Sequence, residues 1–139
     1  MRNEAAIKGI VDSAAIVWPE RSSDWFEERA WIWLHYGATK LQRGELFEAI
    51  GMIAFFREQV LGPMLNRRLG RPQRGVRKIE HMGRDADKLR AAVADYSKEC
   101  VTLALRNAVR LYVELRSDEP PAVGTRGMPE LLMPFLRTD

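Results

Sequence analysis

Apolar residues recur every three or four positions along most of this chain, a spacing that places them on one face of an α-helix. The pattern predicts helices over residues 3–17, 23–43, 45–69, 84–94 and 96–116. The last two can also be read as one continuous helix over 84–116. Since no segment alternates apolar and polar residues over the length of a strand, the predicted fold class is all-α.

Capping residues, glycine and proline mark the ends of the predicted helices. Ser23 and Asp24 suit the start of the second helix, because hydroxyl and carboxylate oxygens stabilise the free N–H groups there. Gly44 is a favourable C-terminal stop for the same helix. Pro63 is expected to kink the third helix or to begin a new turn, because proline lacks the N–H that helical bonding requires. Asp95 is the predicted cap of the last helix.

Short loops between long helices place neighbouring helices antiparallel, so we expect an up-down antiparallel bundle of four to five helices. The bundle is predicted to span residues 1–117, with the tryptophan-rich second helix near its centre. Residues 118–139 are predicted to form a linker-like tail. Within it, the short apolar segment 128–136 is expected to pack back on the bundle or to dock on a neighbour.

Composition narrows the classes of protein to consider. The 139 residues are enough for one domain with a hydrophobic core, and 46% hydrophobic against 29% charged residues argues against general disorder. The first residues are interrupted by charges, and no apolar run approaches the ~20 residues that span a bilayer. We therefore expect a soluble, cytoplasmic protein without a membrane partner. The single cysteine, Cys100, is predicted to be a small core side chain.

The chain lacks the common local motifs of catalysis. It has no glycine-rich phosphate loop and no nucleophile elbow, and its two histidines are not spaced as metal ligands. The sequence therefore predicts no catalytic residue and no metal site in this chain alone, and a protein that is inactive by itself.

Four polar residues form a stripe on the second predicted helix: Arg29, Tyr36, Lys40 and Arg43. Their spacings of seven, four and three place them on one narrow face. Arginine binds phosphate as a bidentate clamp and lysine as a point charge, so the stripe predicts a nucleotide or phosphate site. The alternative is that these side chains pair with glutamates of a neighbouring helix.

Two glutamates, Glu45 and Glu48, follow the stripe at the start of the third helix. Their carboxylates can hold a polar acceptor substrate, or one of them can serve as a general base. The alternative is that they stabilise the helix N-terminus and form ion pairs. Arg57 lies on the apolar face of that helix, where a charge must be paired; we interpret it as structural. The basic stretch 67–78 can follow a phosphate backbone, but without interleaved aromatic residues a solvated loop is the alternative, so nucleic acid is not the expected partner.

Arg29 and His35 form an R-x5-H pattern, the loose spacing of the HEPN-type RNases, which are also helical bundles. An RNase is therefore one alternative function. A structural or protein-interaction bundle that dimerises without a ligand is another, because four tryptophans and an apolar tail exceed what a small core needs.

A longer resemblance covers about residues 20–117. The run WFEERAWIWLHYGATKLQRGELFEAIGMIAFFREQVLGPML, followed by RPQRGVRKIE, resembles the C-terminal helical region of bacterial nucleotidyltransferase-like proteins, relatives of the aminoglycoside adenylyltransferases. The strongest piece is the K-x-x-R-G-E-L-F-E-A block from Lys40 to Ala49.

The resemblance implies a helical domain that closes over an active site built by another domain. In such enzymes an N-terminal α/β domain carries a Gly-Ser turn and two aspartates that hold magnesium and the nucleoside triphosphate. This chain has no Gly-Ser turn followed by an Asp-x-Asp pair. The resemblance thus implies a substrate-binding or accessory domain without the catalytic half, in which Mg and ATP enter only with a partner α/β domain.

By motif position, the resemblance implies that Lys40 is the main phosphate contact and that Tyr36 and Arg43 flank it. Glu45 and Glu48 would face the acceptor. The implied partners are a nucleotide or small polar acceptor, together with a second copy of the chain or a partner α/β domain.

Overall fold

The computed structural model describes residues 2–13 and 18–137, which contain helices and no strands. The all-α prediction is confirmed. The α-helices are α1 (Arg2–Ser13), α2 (Ser23–Gln42), α3 (Leu46–Phe56), α4 (Gly62–Arg68), α5 (Arg84–Arg90) and α6 (Lys98–Arg116). A π-helical turn, Arg57–Leu61, joins α3 to α4, and 3₁₀ turns cover Ile79–His81 and Met133–Leu136.

Helix ends lie close to the predicted positions, with different capping residues. Ser22, not Ser23, caps α2, and its hydroxyl accepts a hydrogen bond from the N–H of Trp25 at 3.1 Å. Ser97, not Asp95, caps α6 in the same way, so α5 and α6 are separate helices. A cap accepts from the residue three positions on, which selects the serine that lies directly before each helix. The predicted extension of the first helix over 14–17 lies outside the described residues.

Pro63 leaves the helix unbroken. One turn earlier the chain widens into the π-helical turn, where the N–H of Gly62 donates to the carbonyl of Arg57, five residues back. This single wide turn takes the place of the kink that the proline predicted, and α4 continues from it with Pro63 in its first turn.

The core is formed where α2, α3 and α6 pack together, and Phe26, Phe56 and Leu105 are almost completely buried in it. Cys100, predicted to be a core residue, is only partly buried. Leu132 and Leu136, from the apolar segment near the end of the chain, are 1% and 0% exposed in the same core. Burial of a leucine side chain contributes about 1.5–3 kcal/mol, so this segment helps to stabilise the bundle.

A buried carboxylate, Glu27 of α2, connects distant parts of the fold. It is 3% exposed and accepts hydrogen bonds from the indole of Trp31, the hydroxyl of Tyr112 (3.1 Å), Nε of Arg116 (2.7 Å) and the backbone N–H of Thr125 (3.4 Å). It therefore joins α2 to α6 and to the segment that follows α6. This role of Glu27 is not apparent from the local sequence.

The environment of Glu27 predicts acid sensitivity. Burial alone would raise the pKa of its carboxyl group, but hydrogen bonds from Trp31 and Thr125 and the charge of Arg116 outweigh burial and lower the pKa below 4.5. The folded state then stabilises the ionised form, so this contribution is complete above pH 4.5 and is lost as the pH falls through the lower folded value. Urea unfolding over a pH series should show stability declining below about pH 4.5. The decline should be shallower for Glu27→Gln, and equal slopes would contradict the assignment.

An ion-pair network ties α4 to the later helices. The guanidinium of Arg68 contacts Asp118 at 2.7 Å, Asp85 at 3.1 Å and Glu114 at 3.3 Å, and Lys88 contacts Glu114 at 2.7 Å.

Among the helices of the described part, none combines the length and the apolar character that crossing a membrane requires.

Candidate functional site

The predicted stripe on α2 is divided in the structure. Arg29 lies near the start of the helix, where its guanidinium is 4.3 Å from the ring centre of Trp25 and donates to the Trp25 carbonyl at 3.1 Å. Its contacts are thus made mainly within its own helix. His35, six positions on, is exposed and points about 120° away around the helix. Within this chain Arg29 and His35 therefore do not face a common site.

The other end of the stripe forms a cluster with the glutamates of α3. Nζ of Lys40 is 3.1 Å from Glu45 and 3.0 Å from Glu48, and the hydroxyl of Tyr36 donates to Glu48 at 3.1 Å. Hydrogen bonds that Lys40 donates to Glu48 and Glu45 raise the pKa of Lys40, and those that Glu48 accepts from Lys40 and Tyr36 lower the pKa of Glu48. Arg43 is exposed beside this cluster and acts on Glu48 through its charge.

The formal charges of this cluster cancel, because Lys40 and Arg43 are opposed by Glu45 and Glu48. A phosphate that approached Lys40 would compete with two carboxylates already bound to it. The structure therefore brings Tyr36, Lys40 and Arg43 together with the two acceptor-side glutamates, but not Arg29. The same arrangement holds the end of α2 to the start of α3.

A strongly basic cavity lies elsewhere, between Asn66 of α4 and the 71–81 segment, and we call it the basic cavity. Its volume is about 360 Å³, and it is lined by Asn66, Arg71, Pro72, Arg74, Arg77, Lys78 and His81. No acidic residue is in this lining. None of the three arginines and the lysine forms an ion pair with another described residue. Four uncompensated positive charges around one concavity form a site for a multiply charged anion.

The loop that carries these charges is fixed by buried polar side chains. Asn66 of α4 donates through Nδ2 to the carbonyl of Gly75 at 3.1 Å. The amide of Gln73 accepts from the N–H of Arg21 at 2.8 Å and donates to its carbonyl at 3.0 Å. Asn66 and Gln73 are only 3% and 4% exposed. The backbone that supports the basic side chains is therefore held in place before any ligand binds.

Two glycines let this loop approach the helix. A Cβ atom added to Gly62 would lie 2.2 Å from the carbonyl oxygen of Gly75, so the loop backbone rests directly on the first turn of α4. Lys78 has a φ of +59°, a left-handed conformation that is uncommon for a residue with a side chain. Such backbone strain is concentrated at functional sites.

The sequence showed the basic residues of this loop but not their arrangement. Arg71, Arg74 and Arg77 belong to the stretch that allowed either a phosphate-binding or a solvated loop. A glycine at position 62, inside a predicted helix, was the available sign that another backbone approaches closely there.

Guanidinium and ammonium groups bind the phosphates of many molecules, so the lining of the basic cavity has a chemistry suited to phosphate. In the described residues, no three His, Cys, Asp or Glu side chains are grouped to hold a metal ion. No protein-family model matches this sequence, and no curated protein or solved structure is significantly similar to it.

Proposed function

We propose that this chain is a phosphate-binding helical domain, the substrate-binding or accessory half of a nucleotidyltransferase-like protein. The observation that carries the proposal is the basic cavity, in which Arg71, Arg74, Arg77 and Lys78 surround a concavity without a single carboxylate. A nucleoside triphosphate, which presents three linked phosphates, is the ligand that we assign to it.

The resemblance described above supports the nucleotidyltransferase part of the proposal. Its second segment, RPQRGVRKIE, supplies the four cationic side chains of the basic cavity. In this proposal the helices form an up-down bundle in the cytoplasm, and Mg and ATP react only when a partner α/β domain supplies the catalytic aspartates. The helical domain then contributes by positioning the reactants.

The cluster around Lys40 receives the second role in this proposal. Because Glu45 and Glu48 already neutralise Lys40, the cluster is better suited to the hydroxyl or amino groups of a polar acceptor than to a phosphate. Tyr36 and Arg43 complete that acceptor surface, whereas Arg29, held against Trp25, lies apart from it near the start of α2.

Charge reversal tests the phosphate site. We expect the double variant Arg74→Glu/Arg77→Glu to bind ATP at least tenfold more weakly than the wild type in calorimetric titration, a loss of about 1.4 kcal/mol or more. Inorganic pyrophosphate should show the same loss, because the cavity recognises phosphate and not the base. Both side chains are exposed, so the fold should be unaffected.

Two matched variants give the control. Arg110→Glu changes an exposed arginine on α6, outside the basic cavity, and should bind ATP like the wild type apart from a small effect of net charge. Lys40→Met should affect ATP less than the double variant does. Equal weakening by Arg110→Glu, or a greater loss with Lys40→Met, would reject the basic cavity as the phosphate site.

An exposed aromatic pair favours a second function, protein interaction. Phe47 of α3 is 80% exposed and packs against Tyr96, which is 60% exposed, with ring centres 4.8 Å apart. Exposed aromatic groups of this kind are enriched at protein interfaces. A homodimer or a partner domain covering this pair would be detected by sedimentation of the wild type beside Phe47→Ser, which should weaken the association.

A further inference from the structure

A second cavity is lined partly by the same 76–83 segment as the basic cavity, but by different residues of it and with a different chemistry. Its volume is about 440 Å³, and its apolar lining comes from the 76–83 segment, α5 and the residues after α5. The apolar residues are Val76, Ile79, Ala86, Leu89 and Val93. Pockets that bind small molecules are typically ~300–1,000 Å³ and mostly apolar with a few polar groups, so this cavity suits a small ligand.

The main polar group of this cavity is Arg57, the first residue of the π-helical turn. From its position on the apolar face of the helix, this charge was expected to be paired. In the structure Nη1 donates to the backbone carbonyl of Ala92 at 2.7 Å, and no described carboxylate lies within ion-pair distance. A guanidinium has five N–H donors, and the described residues use one of them.

Burial lowers the pKa of Arg57, and no neighbouring carboxylate counteracts this effect. A partly buried cation without a counter-charge is costly, because desolvation is not repaid by an ion pair. An anion that entered the cavity would relieve this cost, and the apolar walls would strengthen its attraction to the guanidinium.

The remaining charged residues of the lining set the charge of the ligand. Glu80 and Asp87 are both exposed, and Asp87 pairs with Arg90 at 3.3 Å. With Arg57 and Arg90 on the positive side, the four formal charges of the lining cancel. A multiply charged phosphate would be repelled by the two carboxylates, whereas a ligand with one negative charge needs only Arg57.

We propose that this cavity binds a small monocarboxylate, whose carboxylate pairs with Arg57 and whose short apolar chain packs against Ile79, Leu89 and Val93. The site is independent of the phosphate-binding function proposed above, since it uses different residues and a different ligand chemistry. The 76–83 segment contributes to both cavities, but no residue lines both of them.

Sodium hexanoate is the probe, titrated into the ¹⁵N-labelled full chain at pH 7 and followed by amide chemical shifts. We expect saturable shifts at residues 76–93, with hexan-1-ol binding at least tenfold more weakly because it lacks the carboxylate. Inorganic phosphate should shift the amides of residues 71–78 more than those of 86–93. Arg57→Met, which keeps an apolar chain of similar length, should weaken hexanoate binding at least tenfold and leave hexanol unchanged.

Arg84→Met is the matched control, because Arg84 is an exposed arginine of α5 that does not line the cavity. It should bind hexanoate like the wild type. If Arg57→Met lowers the melting temperature strongly, Val93→Glu decides the question: Val93 is 56% exposed, so the fold tolerates a glutamate there, and its charge should repel hexanoate. The proposal is overturned if hexanoate causes no saturable shifts, if hexanol binds equally well, or if Val93→Glu binds hexanoate unchanged.

Discussion

Replacement of Glu27 by alanine is expected to lower the free energy of unfolding by about 3 kcal/mol. The carboxylate is almost completely buried and accepts hydrogen bonds from α2, α6 and Thr125. Its removal leaves the Trp31 indole and the Tyr112 hydroxyl without an acceptor and leaves Arg116 without its counter-charge. Urea denaturation followed by circular dichroism measures the effect.

The neighbouring glutamate provides the control. Glu28 is exposed, and its contact with Arg29 is long, at 3.5 Å, so Glu28→Ala should change the free energy of unfolding by less than about 0.5 kcal/mol. Glu27→Gln should lie between the two alanine variants, because the amide retains one oxygen acceptor but loses the charge. A Glu27→Ala variant as stable as Glu28→Ala would show that the hydrogen bonds of the buried carboxylate do not stabilise the fold.

The second large effect is expected from Gly62→Ala. The added methyl group would lie 2.2 Å from the carbonyl oxygen of Gly75, which is a backbone atom and cannot turn away as a side chain can. Either α4 or the basic loop must move, at a cost of about 2–3 kcal/mol. Because the loop carries Arg74 and Arg77, we also expect ATP and pyrophosphate to bind more weakly, even though no charge is changed.

Gly51→Ala separates this close contact from the general effect of glycine in a helix. Gly51 is an exposed residue of α3, and a Cβ atom there would meet nothing within 4 Å. Alanine at this position should stabilise the fold by about 0.5–1 kcal/mol and leave ligand binding unchanged. If Gly62→Ala behaved like Gly51→Ala in both measurements, the contact between α4 and the basic loop would not be needed for either.

Local patterns account for what the sequence predicted correctly. The all-α fold and the stop at Gly44 depend on residues a few positions apart, so periodicity and turn chemistry are sufficient to find them. Glu27 could not be found in this way, because Tyr112, Arg116 and Thr125 are 85, 89 and 98 residues distant. At its position in α2 the same glutamate could equally have been an exposed, solvated charge.

For the candidate sites as well, the sequence predicted what depends on local spacing and missed what depends on contacts between distant residues. The spacing of Tyr36, Lys40 and Arg43 correctly placed them on one face, but spacing does not reveal which partner reaches that face first, and the choice between a ligand and a glutamate stayed open. For the basic loop, the sequence shows the charges of Arg74 and Arg77 but not that they lack carboxylate partners. Pairing of charges depends on tertiary contacts, which no local pattern contains.

The two hydrogen bonds between Gln73 and the backbone of Arg21 have a practical consequence for fragments of this protein. A fragment that began at Ser22 would keep every residue of α2 and of the basic cavity, yet it would leave both polar ends of a buried amide without a partner. The loop would then lose the two hydrogen bonds of Gln73 and keep only the hydrogen bond that Asn66 donates to Gly75. The minimal unit for studying the cavity therefore begins before Arg21, well ahead of the first residue that touches it.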